Sequence, residues 1–222
     1  MSDLILVIEA STRHASVALI AAGAVVMDAS VTSHDPATGA RVEGLMPAIA
    51  TCFERTQSNP TQLSSVMCSA GPGSFTSLRS AAALAKGFCS VLRIPLYAVP
   101  TMELLVATAK LPTGLYTTAL DAGRGEYYVS NVATLDGYIT DITPVSIIPG
   151  TRLHTQAHER HATLVGPGLD IDIFPRASAA LALLPGIVAT GPAPIDTWEP
   201  RYGRLAEAQV KWEALHGRVL VP

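Results

Sequence analysis

Leu4-Ile5-Leu6-Val7-Ile8 is apolar at every position, the pattern of a strand covered on both faces. After the polar turn Glu9-Ala10-Ser11-Thr12-Arg13-His14, the run Ser16-Val17-Ala18-Leu19-Ile20 predicts a second strand. Ala22-Gly23 closes a hairpin into a third, from Ala24 to about Val31. Val42, Leu45, Met46, Ile49 and Phe53 then recur at helical spacing, and Pro47 inside that pattern predicts either a kink or a later helix start. Asn59-Pro60 suits an N-cap followed by proline at the first helical position, ahead of a buried strand at 66–70. Gly71-Pro72-Gly73-Ser74 reads as a tight strand-to-helix turn with Ser74 as N-cap, its hydroxyl accepting from first-turn amides. The following helix runs to Pro95. A strand at 96–99 and a helix opened by Pro100-Thr101 complete the first half.

That helix carries two apolar faces. Phe75, Leu78, Ala82, Ala85, Cys89 and Leu92 form one; Ala81, Leu84, Phe88 and Val91 form the other, and Arg79, Lys86 and Arg93 mark a basic edge. One face suffices to hold a helix on its own sheet, so the second predicts a protein partner. Beyond Leu111-Pro112-Thr113-Gly114 the chain changes character. Strands are expected at 116–120, 127–132 and 138–140, with Asp121–Glu126 as a loop and Asp136-Gly137 as a hairpin turn. Short helical windows near 176–184 and 205–216 follow. The order β-β-β-α-β-α-β-α, then a less regular half that opens with the same strand-loop-strand device, predicts an α/β chain. Its lobes are 1–110, in ribonuclease-H-like order, and 111–222, smaller, as in actin-like proteins and sugar kinases.

Composition narrows the class. The chain has 222 residues, 49% of them hydrophobic and 15% charged, with a net charge of −3. That is enough apolar mass for a large core, and it leaves no basic footprint for autonomous nucleic-acid binding. Cys52, Cys68 and Cys89 lie in apolar segments without C-x-x-C spacing, which fits a reduced, cytoplasmic protein. No signal-peptide pattern opens the chain, and no apolar run reaches the roughly 18 residues of a membrane span.

Three sets of residues invite chemistry. Gly71-Pro72-Gly73-Ser74 could cradle a phosphate at a helix N-terminus, but a P-loop needs lysine after its last glycine, and Ser74 stands there. It also lacks the G-x-S-x-G frame of a nucleophilic serine. Glu9, Ser11, Thr12 and Asp121 sit where an actin-like cleft places its two phosphate loops, which makes them candidate nucleotide-binding residues and an independent ATPase or phosphotransferase the alternative function. Glu9 is one methylene longer than the aspartate such a site uses. His154, His158 and His161 have metal-compatible spacing, the sole support for a metallopeptidase. Their window is polar all round, so a solvated surface segment is the stronger reading.

Three stretches then carry a family resemblance. Ile5–Thr12, Gly71-Pro72-Gly73-Ser74-Phe75-Thr76-Ser77-Leu78-Arg79 and Asp121-Ala122-Gly123-Arg124-Gly125-Glu126-Tyr127-Tyr128 resemble, in order, the signatures of the TsaB family, formerly YeaZ. Leu45-Met46-Pro47-Ala48-Ile49 resembles its leucine–leucine–proline segment, and the tail Arg201-Tyr202-Gly203-Arg204 with Glu207, Lys211 and Trp212 is similar to its C-terminal end. The resemblance implies an actin-like (ASKHA) two-lobed fold with a reduced second lobe. It implies a non-catalytic subunit for forming N6-threonylcarbamoyladenosine at position 37 of tRNA. In that arrangement the chain pairs with a catalytic TsaD-like subunit, joined by a TsaE-like ATPase, and meets tRNA only through the complex. It brings no cofactor of its own; ATP and a metal ion belong to the partners, and alone it could pair with itself. The chain departs from the family at Glu9, where aspartate is usual, and at Ser77, where glycine is usual. Arg41 and Leu45 stand at the positions of the catalytic relative's H-x-x-x-H metal pair, so no metal ligand carries over. The partner interface carries over to Met46, Ile49, Phe53, Leu78, Ala82 and Lys86.

Overall fold

The computed structural model describes residues 4–31 and 44–203. Its first sheet has the order β3-β2-β1-β4-β5. The strands are β1 (Leu4–Glu9), β2 (Ala15–Ala21), β3 (Ala24–Val31), β4 (Leu63–Ser69) and β5 (Leu96–Val99). The first three pair antiparallel, whereas β4 and β5 run parallel to β1, the ribonuclease-H-like arrangement. All six residues of β1 are buried because both faces are covered. Leu6 and Ile8 point into a core closed by α1 (Leu45–Arg55) and α2 (Phe75–Leu92), through Ile49, Cys52, Phe53, Ala81, Ala85 and Cys89. Ile5 and Val7, on the opposite face, pack with Leu104 of α3 (Thr101–Ala109) and with Ala180 and Ile187 of α5 (Ala180–Thr190).

The second sheet joins β6 (Gly114–Gly123), β7 (Glu126–Leu135), β8 (Tyr138–Ile142) and β10 (Thr163–Val165) in the order β10-β6-β7-β8. A further strand, β9 (Ser146–Pro149), pairs with β7. One face of this sheet meets Met102, Leu105 and Val106 of α3; the other is covered by α4 (Gly150–Glu159). The change of sheet therefore falls between α3 and β6. Near its end the chain returns to the first sheet, where Ala177 donates its amide to Ser16 Oγ (2.8 Å) and Arg176 pairs with Asp28 (2.8 Å). No helix among the described residues is long and apolar enough to cross a membrane.

Several local expectations need correction. Asp121–Glu126 is not an open loop: β6 and β7 pair out to Gly123 and Glu126, leaving Arg124-Gly125 as a two-residue turn. Both turn residues have positive φ (58° and 74°), which matches the twist of the flanking strands. The His154 segment is at the surface, with its three histidines exposed, but it does have an apolar face and forms a helix. Leu153 and Ala157, four residues apart, are buried against the second sheet, and burial of one leucine contributes about 2 kcal/mol. The helix at Pro47 starts late, at Leu45, so Pro47 falls in the first turn, where no intrahelical partner awaits its missing N–H. Ser74 does occupy the N-cap, but its hydroxyl meets Ser77 Oγ (3.0 Å) instead of a backbone amide. The 176–184 window becomes a 3-10 turn, Ala177–Ala179, leading into α5. The 205–216 window lies outside the described residues.

Candidate partner interface around the glycine turn

The turn between β4 and α2 is a crossing point of three backbones. Ser74 donates its amide to the Ser11 carbonyl (2.7 Å), Thr101 donates to the Gly71 carbonyl (3.1 Å), and Arg201 donates to the Ala70 carbonyl (2.8 Å). A Cβ on Gly73 would lie 2.2 Å from Ser11 O, and one on Gly71, whose φ is +85°, would lie 2.2 Å from Arg201 O. Glycine is required at both positions by this close approach. The Ser74 amide that a phosphate would need is already bonded to protein. The turn therefore serves as a junction.

Glu9 sits beneath the junction with no exposure. Its Oε1 accepts from the Ser11 amide (2.7 Å) and from the Ser11 hydroxyl, while Oε2 is buried without a partner among the described residues. Burial pushes its carboxyl up to about 7, against the opposing pull of the bonds from Ser11. Ser11 is 2% exposed. Thr12 Oγ1 accepts from the His14 amide (3.3 Å), and the exposed Asp121 accepts from the Gly123 amide (2.7 Å), closing its own hairpin. Each of the four nucleotide-site candidates thus stabilises its own loop. None lines the groove around Leu115 and Arg160 or the one beside α2. His154, His158 and His161 are exposed, and no group of three or more potential metal ligands occurs among the described residues.

Helix α2 presents a different outer face from the one its pattern predicts. Ala81 is buried, and Leu84 and Phe88 pack against the core shared with α1, so most of the second apolar stripe is internal. The outward positions are Thr76, Arg79, Ser80, Ala83, Gly87, Ser90 and Val91, mostly small apart from Arg79 and Val91, with Val91 81% exposed. A Cβ on Gly87 would touch nothing. Of the six interface candidates, Ile49, Phe53 and Leu78 are buried at 1%, 6% and 0% exposure, which corrects their assignment: they hold the lobe together. Ala82, at 3%, is covered as well. Met46 is exposed, and the half-buried Lys86 sits at the helix edge.

A segment lying beside α2 was not foreseen. Residues 199–203 lie against α2 as a strap. Lys86 Nζ donates to Glu199 Oε1 (2.9 Å), the Tyr202 hydroxyl donates to Glu199 Oε2 (2.9 Å), and the Tyr202 ring lies 4.5 Å from that of Phe75. Tyr128 of β7 donates to the Tyr202 carbonyl (3.0 Å), so the strap also holds the second sheet. The bonds from Lys86 and Tyr202 keep the Glu199 carboxyl below its usual range, while burial and that carboxylate push the Tyr202 phenol up to about 12. Between strap and helix lies a groove of about 320 Å³ walled by Phe75, Tyr202 and Glu199 and floored by Ala82 and Ala83, with Arg79 and Lys86 along its side.

A family model described as TsaD, tRNA N6-adenosine threonylcarbamoyltransferase, matches residues 35–179. The chain belongs to that family. Among curated relatives, the tRNA threonylcarbamoyladenosine biosynthesis protein TsaB of Bacillus subtilis is 26% identical over 185 residues, covering 75% of this chain and 81% of that protein. Among solved structures, a Pseudomonas aeruginosa protein described as similar to the peptidase YeaZ superposes with a TM-score of 0.73 at 22% identity, covering 91% of this chain and 100% of that one. YeaZ from the same organism gives 0.70 at 19% identity, covering 89% and 99%. The TsaB (YeaZ) resemblance of the glycine–proline–glycine block, and the fold it implied, therefore hold.

Proposed function

We propose that this chain acts in the biosynthesis of tRNA N6-threonylcarbamoyladenosine as a non-catalytic subunit that docks a TsaD-type transferase through the outer face of α2. The observation that carries this reading is the run of small side chains along that face, from Thr76 through Ala83 and Gly87 to Ser90, on a helix whose other sides are committed to its own core. Small residues allow the backbone of a second helix to approach closely, as larger ones would not. The similarity to TsaB supports the pathway, and the family match supports a TsaD-type partner.

In this reading the junction and the strap hold α2 rigidly, so that the face is formed before the partner arrives and little ordering entropy is lost on docking. ATP and a metal ion reside on the partner subunits, a TsaE-type ATPase joins the pair, and tRNA is met through the assembled complex in the cytoplasm. Without its partner the same face pairs two copies of this chain. Reconstitution tests the proposal: the TsaD-type and TsaE-type subunits are supplied with tRNA, threonylcarbamoyl donor and ATP, with and without this chain. Modified adenosine is expected only when the chain is present. Equal yields in its absence refute it.

A further inference from the structure

The groove beside α2 carries a charge that its own residues leave unbalanced. Arg79 and Lys86 bring two cations and Glu199 one carboxylate; Tyr202 remains neutral at physiological pH. Lys86 is paired with that carboxylate at 2.9 Å, whereas the exposed Arg79 acts on Glu199 only at longer range and makes no direct ion pair among the described residues. Phe75 and Tyr202 form an aromatic wall beside it, and Ala83 at the floor continues into the small-residue face. The groove is therefore locally cationic in a chain whose net charge is −3.

Resting on the subunit reading above, we infer that this groove receives a carboxylate side chain of the docking subunit, flanked by an apolar residue that packs on Phe75 and Tyr202. Arg79 anchors it. A guanidinium presents a planar fork of donors suited to bidentate carboxylate binding, and the aromatic wall excludes water from one side of the pair. Lys86 is already held by Glu199, so its part is to position the strap that builds the wall. Specificity follows from this arrangement, because a partner lacking the acid leaves Arg79 partly desolvated and unpaired.

The test measures affinity of the full-length chain for the purified TsaD-type subunit by calorimetry, for wild type, Arg79→Lys, Arg79→Gln and Arg79→Glu. Gly87→Glu, on the same face but outside the groove, is the comparison. Expected are a loss of about tenfold or more for Arg79→Glu, a smaller loss for Arg79→Gln and partial retention for Arg79→Lys, with a salt dependence that weakens in Arg79→Gln. Charge reversal of one acidic partner residue should restore binding to Arg79→Glu. The inference is overturned if Arg79→Glu binds within twofold of wild type while Gly87→Glu abolishes binding, a result that leaves the subunit reading standing. Unchanged binding by Gly87→Glu as well removes the α2 face itself. A drop in melting temperature of the isolated Arg79→Gln chain also overturns it, since the guanidinium then serves the chain's own fold.

Discussion

Replacing Glu9 by glutamine isolates the cost of burying a carboxyl at the junction of β1, β4 and α2. Burial raises the folded-state value from 4.5 to about 7, so the folded chain retains a proton that the unfolded chain has already released. The sign is therefore the reverse of a salt-bridged carboxylate. Below about pH 4.5 the group is protonated in both states and contributes no pH dependence. Between about 4.5 and 7 stability falls as pH rises, and above that the full penalty remains. The difference in protonation free energy comes to about 3 kcal/mol at its plateau, most of which develops between about pH 5 and pH 8. Glutamine keeps an oxygen for the Ser11 amide but leaves an NH₂ near the position of Oε2, where the described residues offer no partner. That donor costs about 1–3 kcal/mol at every pH, so the informative quantity is the change with pH, from which it cancels. Urea unfolding of wild type and Glu9→Gln at both pH values, with m held to a common value, reads it directly. The variant should lose markedly less stability than wild type on going to the higher pH. Parallel losses, equal to within about 0.5 kcal/mol, would show that the carboxyl is not desolvated in solution and refute the reasoning.

Two further substitutions probe the junction and the strap. Gly73→Ala forces a Cβ onto the Ser11 carbonyl and should cost about 2 kcal/mol or more, lowering Tm by about 5 °C; an unchanged melt means that the two backbones are not in contact. Tyr128→Phe removes a hydroxyl that joins β7 to the strap, costing about 1 kcal/mol in urea unfolding and speeding proteolysis after Glu199, and wild-type protease resistance would place the strap elsewhere.

The first half of the fold was legible because its signals are local. Unbroken burial along Leu4–Ile8, the Asn59-Pro60 cap, which forms a complete capping box with Gln62, and the Gly-Pro-Gly turn each depend on a few adjacent residues. Helix α4 was missed because a single pair, Leu153 and Ala157, holds it, too little for a periodic signal among histidines and threonines. β9 was missed because four residues, Ser146–Pro149, leave little room for alternation.

The interface shows a deeper limit of pattern. Periodicity reports that α1 and α2 have apolar stripes, but it cannot report which stripe meets the chain's own sheet and which is left outside. Ile49, Phe53 and Leu78 look the same in either role; only the packing distinguishes them. The proposed docking face, by contrast, is marked by what most of its outer positions lack. Thr76, Ser80, Ala83 and Gly87 carry neither long apolar side chains nor charges, and read as neutral filler in a helix judged by hydrophobicity. The strap is harder still, because Lys86 and Glu199 lie 113 residues apart and nothing near either residue announces the other. Yet the glycine turn held an indirect sign of it. Gly73 is required by the β1–β2 loop, whereas Gly71 is required by the Arg201 carbonyl of the strap. Two glycines around one proline thus record two separate backbones crossing one turn. The tail and the turn are a single structural unit, and α2 starts from it.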